Sequence, residues 1–229
     1  MQCIIKQPTE EAPNHKEAVS KSTPRKKPRK LSNRPVLTQR DLNTLNEEGW
    51  LNDNIIQGIL YNITKNLDSV LVLSTYLYTN ISKNKITDRL LGGQNIFKYE
   101  EVFIPCHLSN HWVLARYRPK IEQLDIYDSL QFCRTSRIVG EKIGHWIRKE
   151  ARCLNRRMNC TITIAIRNDF PIQTDASSCG VYLIHYVQAI LDRKGYCSIP
   201  NINNIRLFWK EKMKRYLKTE EEDNIIQID

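Results

Sequence analysis

The stretch YEEVFIPCHLSNHWVLARYRPKIEQLDIY, residues 99–127, decides the fold. Apolar and β-branched or aromatic residues fill three short runs, broken by Leu108-Ser109-Asn110 and by Arg118-Pro119-Lys120. Runs of that length and composition, bounded by turn residues, predict strands over 99–104, 111–117 and 121–127. Strands joined by such short connections pair antiparallel, so this is a meander.

Moving toward the N-terminus, helical periodicity replaces alternation. Ile55, Ile56, Ile59, Leu60 and Ile63 recur on one face, with Asn52 or Asp53 placed to cap the helix. A shorter helix is predicted after Thr38, with Asp41 in its first turn and Leu42 and Leu45 on one side. The apolar run 70–78 is too short and mixed to assign to helix or strand.

Toward the C-terminus, residues 135–154 suit a helix, and 160–166 alternate Thr with Ile as a strand buried on one side does. After the polar loop 168–178 comes a helix with a broad apolar face, Val181, Leu183, Ile184, Val187, Ile190 and Leu191, ending near Gly195. A last helix over 203–217 presents Ile205, Phe208, Trp209 and Met213. Helices around a central antiparallel sheet make an α+β domain, expected over 36–218.

Two tails flank it. Residues 1–35 carry nine Lys/Arg against three acids and few large apolar side chains, which predicts a disordered arm. Its run PRKKPRK, residues 24–30, has the composition of a nuclear-import signal or a non-specific nucleic-acid contact. Residues 219–229 hold five acids and no base. The whole chain of 229 residues has a formal charge of +10, so the body is basic even without the arm. A basic body attracts nucleic acid or an acidic protein surface, and net charge does not choose between them.

No stretch has the charged start and apolar run of a signal peptide or the length of a membrane span, so an intracellular, non-membrane protein is expected. The seven cysteines form no C-x-x-C pair. They read as reduced thiols, and no zinc site is expected from Cys106-His107 or His185.

One thiol stands apart. A nucleophilic cysteine acts as thiolate, favoured by a nearby imidazole or a helix N-terminus. Cys179 follows the polar loop and opens an apolar helix; the other cysteines lack that placement. His111 begins a strand after a polar loop, where a ring can face a cleft. Asp125 or Asp128 could orient it, and strand alternation points those two to opposite faces without choosing between them.

Four motifs in order, WLND at 50–53, NHWVL at 110–114, DIYDSL at 125–130 and Gln173 followed after five residues by Cys179-Gly180, resemble the ubiquitin-like-protein-specific proteases, the SUMO (sentrin) proteases. The resemblance spans about 37–217. It implies a papain-like cysteine protease fold in which Cys179 attacks, His111 moves the proton, Asp128 holds the imidazole and Gln173 donates to the oxyanion. Asp125 then becomes a solvent-side strand residue. Trp50 and Trp112 would wall a narrow tunnel over a Gly-Gly terminus, and Asp53 would meet a basic residue of the modifier. The expected substrate is SUMO or a similar modifier on lysine, the expected location nuclear or nucleocytoplasmic, and no cofactor is required.

One residue departs from that family's pattern, which has Asp before the nucleophile where this chain has Ser178, with Asp175 displaced upstream. Polyprotein-processing proteases and acyltransferases share the triad order and vary this loop, so they form the enzymatic alternative. A basic nucleic-acid-binding protein on a protease fold is the alternative from another class, with nucleic acid meeting the N-terminal arm. In the acidic tail, Ile225, Ile226 and Ile228 after Glu220 to Asp223 resemble a SUMO-interaction motif, a short apolar strand that adds to a sheet edge.

Overall fold

The computed structural model describes residues 35–85, 91, 94–158, 161–193 and 201–226, with backbone alone from 218 onward. The N-terminal basic run, Cys160, Gly195 and Ile228 lie outside them.

Thr38 caps α1 (Gln39–Asn43), its hydroxyl accepting from the Asp41 amide while the Asp41 carboxylate accepts from the Thr38 amide. This reciprocal pairing satisfies donors that a helix start leaves free. Asn52 caps α2 (Asp53–Thr64) through Ile55 N at 3.0 Å, leaving Asp53 as the first helical residue. The undecided run 70–78 divides into β1 (Val70–Val72) and the start of α3 (Leu77–Ser82).

The meander is β2 (Glu101–Leu108), β3 (His111–Arg118) and β4 (Gln123–Tyr127), antiparallel throughout. The sheet has five strands in sequence order, because β1 adds to β2 in parallel and β5 (Thr163–Arg167) adds to β4 in parallel. The antiparallel expectation therefore holds for the three central strands, and the edges are parallel. A parallel partner requires a crossover, supplied here by α4 (Cys133–Cys153) between β4 and β5.

Alternation along the meander builds two cores. Phe103, Trp112, Leu114 and Tyr127 face α2, α5 (Cys179–Leu191) and α6 (Ile202–Ile226). Val102, Ile104, Val113, Ala115, Leu124 and Ile126 face α3 and α4. Each fully buried aliphatic side chain of this kind contributes about 1.5–3 kcal/mol. With both faces covered by helices, the sheet is a rigid platform for its loops.

Two expectations change. β5 is an edge strand, so burial on its one covered side is complete at Ile162 and only partial beyond it: Ile164 lies over Gly140 and Gly144 of α4 yet stays 37% exposed. The final helix runs past Leu217 through the acidic residues to Ile226, since Glu is a strong helix former. Ile225 and Ile226 are thus helical. Among the described residues, no helix is long and apolar enough to cross a membrane.

Candidate active site

His111 opens β3, and Asp128 follows the last residue of β4. Leu114 pairs with Tyr127; continuing that register sets His111 opposite Leu130 and Asp128 opposite Val113. The two are diagonal neighbours on one face, the relation that long side chains bridge. His111 Nε2 lies 2.7 Å from Asp128 Oδ1. The choice that alternation left open is thereby made by geometry.

Asp128 is buried and accepts two further bonds, from Leu130 N to Oδ1 and from Ser136 Oγ of α4 to Oδ2, each at 3.0 Å. Burial alone would raise its pKa; the donors from His111, Leu130 and Ser136 outweigh that and hold it below the usual carboxylate range. It stays charged. His111 answers in kind: burial disfavours its cation, but Asp128 and then the Cys179 thiol push it up to about 9.

Since Nε2 is engaged by Asp128, Nδ1 is the nitrogen left for the thiol. Cys179 is the first residue of α5, 4% exposed. The first amides of a helix lack intrahelical acceptors, and the helix dipole favours an anion there. Gly180 permits the packing behind it: a Cβ at that position would come within 3.0 Å of Leu51 Cβ and 3.2 Å of Ile56 Cδ1. A larger residue would push α5 off α2.

Gln173 is buried in the loop before α5. Its Oε1 accepts from Ser129 Oγ at 2.5 Å, and its Nε2 donates to the Asp175 carbonyl at 2.7 Å. An amide nitrogen carries two N–H groups, so one remains. Asp175 folds the rest of the loop, its Oδ1 accepting from Ser177 N and Ser178 N at 2.8 and 2.7 Å.

Trp112 is buried; it donates from Nε1 to the Leu51 carbonyl at 3.0 Å and stacks on His107 at 4.4 Å between ring centroids. That bond ties β3 to the residue beside Trp50, whose own side chain is 49% exposed. Asp53 is half-buried and, with Asn52 doing the capping, has no hydrogen-bond or ion-pair partner among the described residues.

Asp125 is not a solvent-side residue. It is fully buried, accepting from Arg118 Nη2 and Gln123 Nε2 at 2.8 Å each, with Arg167 Nη1 at 3.9 Å. The reason is that three long side chains from β3, β4 and β5 close over this part of the sheet face. Three supporting residues escaped the sequence reading. Ser129 sat within a quoted motif, and Ser136 left no signal. Arg206 was visible as a charge in the apolar stripe that carries Trp209 and Met213.

The profile of the Ulp1 protease family, C-terminal catalytic domain, matches residues 50–220. A sentrin-specific protease from Caenorhabditis elegans is 31% identical over 158 residues, 64% of this chain and 22% of that protein. Ubiquitin-like-specific protease 1 of Saccharomyces cerevisiae is 29% identical over 162 residues, 64% of this chain and 24% of its own length. The chain spans between 21% and 28% of the length of the curated relatives it matches. Among solved structures, SUMO protease Ulp1 with its catalytic cysteine oxidised to a sulfenic acid superposes with a TM-score of 0.66 at 20% identity, covering 79% of this chain and 85% of that one. The C-terminal Ulp1 protease domain in complex with Smt3, the yeast orthologue of SUMO, gives 0.66 at 22% identity, covering 76% and 80%. At that identity the likeness is one of fold, and the fold is papain-like.

Proposed function

The chain belongs to the Ulp1 protease family, and from that premise we propose that it is a cysteine protease that releases SUMO, or a similar modifier ending in Gly-Gly, from lysine side chains. The observation that carries this reading is the 2.7 Å contact of His111 Nε2 with buried Asp128, which leaves Nδ1 for Cys179 at the head of α5.

In the reaction Cys179 Sγ, having passed its proton to His111 Nδ1, attacks the terminal glycine carbonyl as the thiolate. Negative charge grows on the carbonyl oxygen, and the free N–H of Gln173 with the Cys179 backbone N–H receive it. His111 returns its proton to the departing lysine amine, leaving a thioester. Water, deprotonated by His111, then hydrolyses the thioester and restores the thiol. Asp128 keeps the imidazole oriented and stabilises its cation throughout.

Trp50 and Trp112 close over the two glycines, where any Cβ would collide. Asp53 meets a basic residue of the modifier. The catalytic unit is residues 36–218, with the basic arm supplying nuclear import and the tail lying outside the catalytic work.

The test is a panel of modifiers bearing a thiol-reactive group at the C-terminal glycine. Labelling that disappears in Cys179→Ala supports the reading and names the modifier. If no modifier labels the protein while a small alkylating reagent does, the deconjugase reading falls and a processing protease replaces it. Salt-sensitive nucleic-acid binding with no peptidase activity at all would instead make the chain a binding protein on a protease fold.

A further inference from the structure

The outer face of α4 is cationic, and among the described residues no element packs on it. Arg134, Arg137, Lys142, Arg148, Lys149 and Arg152 fall on the side opposite the buried Val139, Ile143 and Ile147, all exposed except half-buried Arg148. None of the six forms an ion pair with a carboxylate among the described residues. The solvent face holds a single acid, Glu141, while Glu150 accepts from the Trp146 indole at 3.1 Å.

An ordinary solvated helix face looks different. It interleaves Glu and Lys at i, i+4, and it places acids in its first turn. Here the first turn has no acid, and Arg134 stands at the positive end of the helix dipole, where a cation costs stability, while of the six only Arg152 lies in the last turn, where the dipole favours a cation. Arg148 and Arg152 repel at i, i+4. The stripe therefore has a use outside the isolated fold.

We propose that this face binds the phosphate backbone of a nucleic-acid duplex. From Arg134 to Arg152 the cations run along about 27 Å of helix, at a rise of about 1.5 Å per residue. A duplex offers one phosphate per about 1.7 Å of its axis, so the stripe can meet phosphates over its whole length. Four of the six are Arg, whose planar fork suits phosphate. Along one flank a cavity of about 480 Å³ between α3 and α4 is lined by Lys142, His145 and Lys149 together with Glu141, so the cations there are partly offset and the exposed arginines carry the phosphate contacts. Between Arg134 and Arg152 the outer face exposes no Phe, Tyr or Trp, the platform that single-strand binders use, so the duplex is favoured. Recognition of this kind is independent of base sequence.

The test uses the full chain and the fluorescence anisotropy of a labelled DNA duplex of about 20 base pairs, titrated from about 50 to 200 mM salt. Arg137→Glu, Lys142→Glu, Lys149→Glu and Arg152→Glu together should weaken binding by more than about tenfold and flatten the log–log salt slope by about three units. The same four changed to Gln should give a smaller loss in the same direction, and this set decides if the acidic set fails to fold. Unchanged circular dichroism and unchanged Cys179 alkylation mark an intact fold. Replacing Lys26, Lys27, Arg29 and Lys30 by Gln should leave the α4 effect in place. The proposal is overturned if the α4 variants bind as the parent does, if only the arm variant loses binding, or if polyglutamate of equal charge displaces the duplex as well as a second duplex does. That last result would make the face a dock for acidic protein.

Discussion

Ser129 and Gln173 hold each other at two points: the Gln173 backbone N–H donates to the Ser129 carbonyl at 2.9 Å, and the Ser129 hydroxyl donates to Gln173 Oε1 at 2.5 Å. The Asp175 carbonyl, which can only accept, fixes which end of the side-chain amide is nitrogen, and the Ser129 hydroxyl anchors the oxygen end. Because Ser129 adjoins Asp128, one segment holds both the His111 imidazole and the Gln173 amide proposed as oxyanion donor. Gln173→Ala should lower kcat by about a hundredfold, the usual cost of one such donor. Ser129→Ala, which removes one of the two anchors of the amide and leaves the bond to the Asp175 carbonyl, should cost at most about tenfold in kcat with KM unchanged. Steady-state hydrolysis of a modifier carrying a C-terminal fluorogenic amide measures both; a Ser129→Ala defect in KM alone would sink the positioning role.

His111 and Asp128 also make stability depend on pH. The His111 value is raised from an ordinary 6.5 to about 9, so its pairing stabilises fully below 6.5 and is lost as pH climbs through 9. The Asp128 value is lowered, so its share is present above the ordinary 3.8 and is lost as pH falls below that range. Asp128→Asn should therefore be less stable than the parent by about 1–3 kcal/mol between these limits, with the gap closing on either side. Denaturant midpoints collected across pH give the curve. A gap that widens above pH 9 would contradict it.

The meander, α2 and α5 were legible because their signals are local: period-two runs between turns, and apolar residues at helical spacing beside a capping residue. The parallel edges were not. β1 is three residues long, and β5 reaches β4 only through the α4 crossover, a pairing that no local pattern encodes. At the site, alternation separated Asp125 from Asp128, but which face His111 shares is a matter of register across the β3–β4 pair. Motif resemblance supplied the answer before the geometry did. It could not supply Ser136, since a hydroxyl on a helix has no distinguishing spacing.

Asp125 should behave in the opposite way from its neighbour. It is buried among Arg118, Gln123 and Arg167, and its hydrogen bonds and ion pairs include none to His111, Gln173 or Cys179. Asp125→Ala leaves the Arg118 guanidinium without its carboxylate, while Arg167 keeps its pair with Asp169; both guanidinium groups reach solvent, so the loss should fall below the usual 3–5 kcal/mol for a broken buried pair, at about 2 kcal/mol. Turnover per folded molecule should stay within about twofold. Asp128→Ala should instead cut kcat by at least about a hundredfold. Paired thermal melts and active-site titrations separate the two effects, and a catalytic loss in Asp125→Ala exceeding its loss of folded protein would refute the division.

Ser178 stands where the family pattern has Asp, and its consequence falls on Arg206. That guanidinium is 2% exposed, donates to the carbonyls of Thr44, Asn46 and Ser177 at 3.2–3.4 Å, and reaches Ser178 Oγ at 3.5 Å. Its Nε has no acceptor, and no carboxylate among the described residues lies within ion-pair distance. Asp175 acts on it through space, while the Asp175 Oδ1 is occupied by loop amides. A buried cation with so loose a complement is destabilising relative to a paired one. Ser178→Asp extends a carboxylate by one atom toward Nη2 and sets an acid at the N-cap of α5, where the present side chain makes no capping bond. It should stabilise the fold by about 1–2 kcal/mol, a rise of several degrees in Tm. In an Arg206→Met background the same change buries a carboxylate without its cation and should destabilise. Calorimetry on the four proteins of this double-mutant cycle reads the coupling directly; equal effects of Ser178→Asp in both backgrounds would mean that Arg206 does not feel position 178.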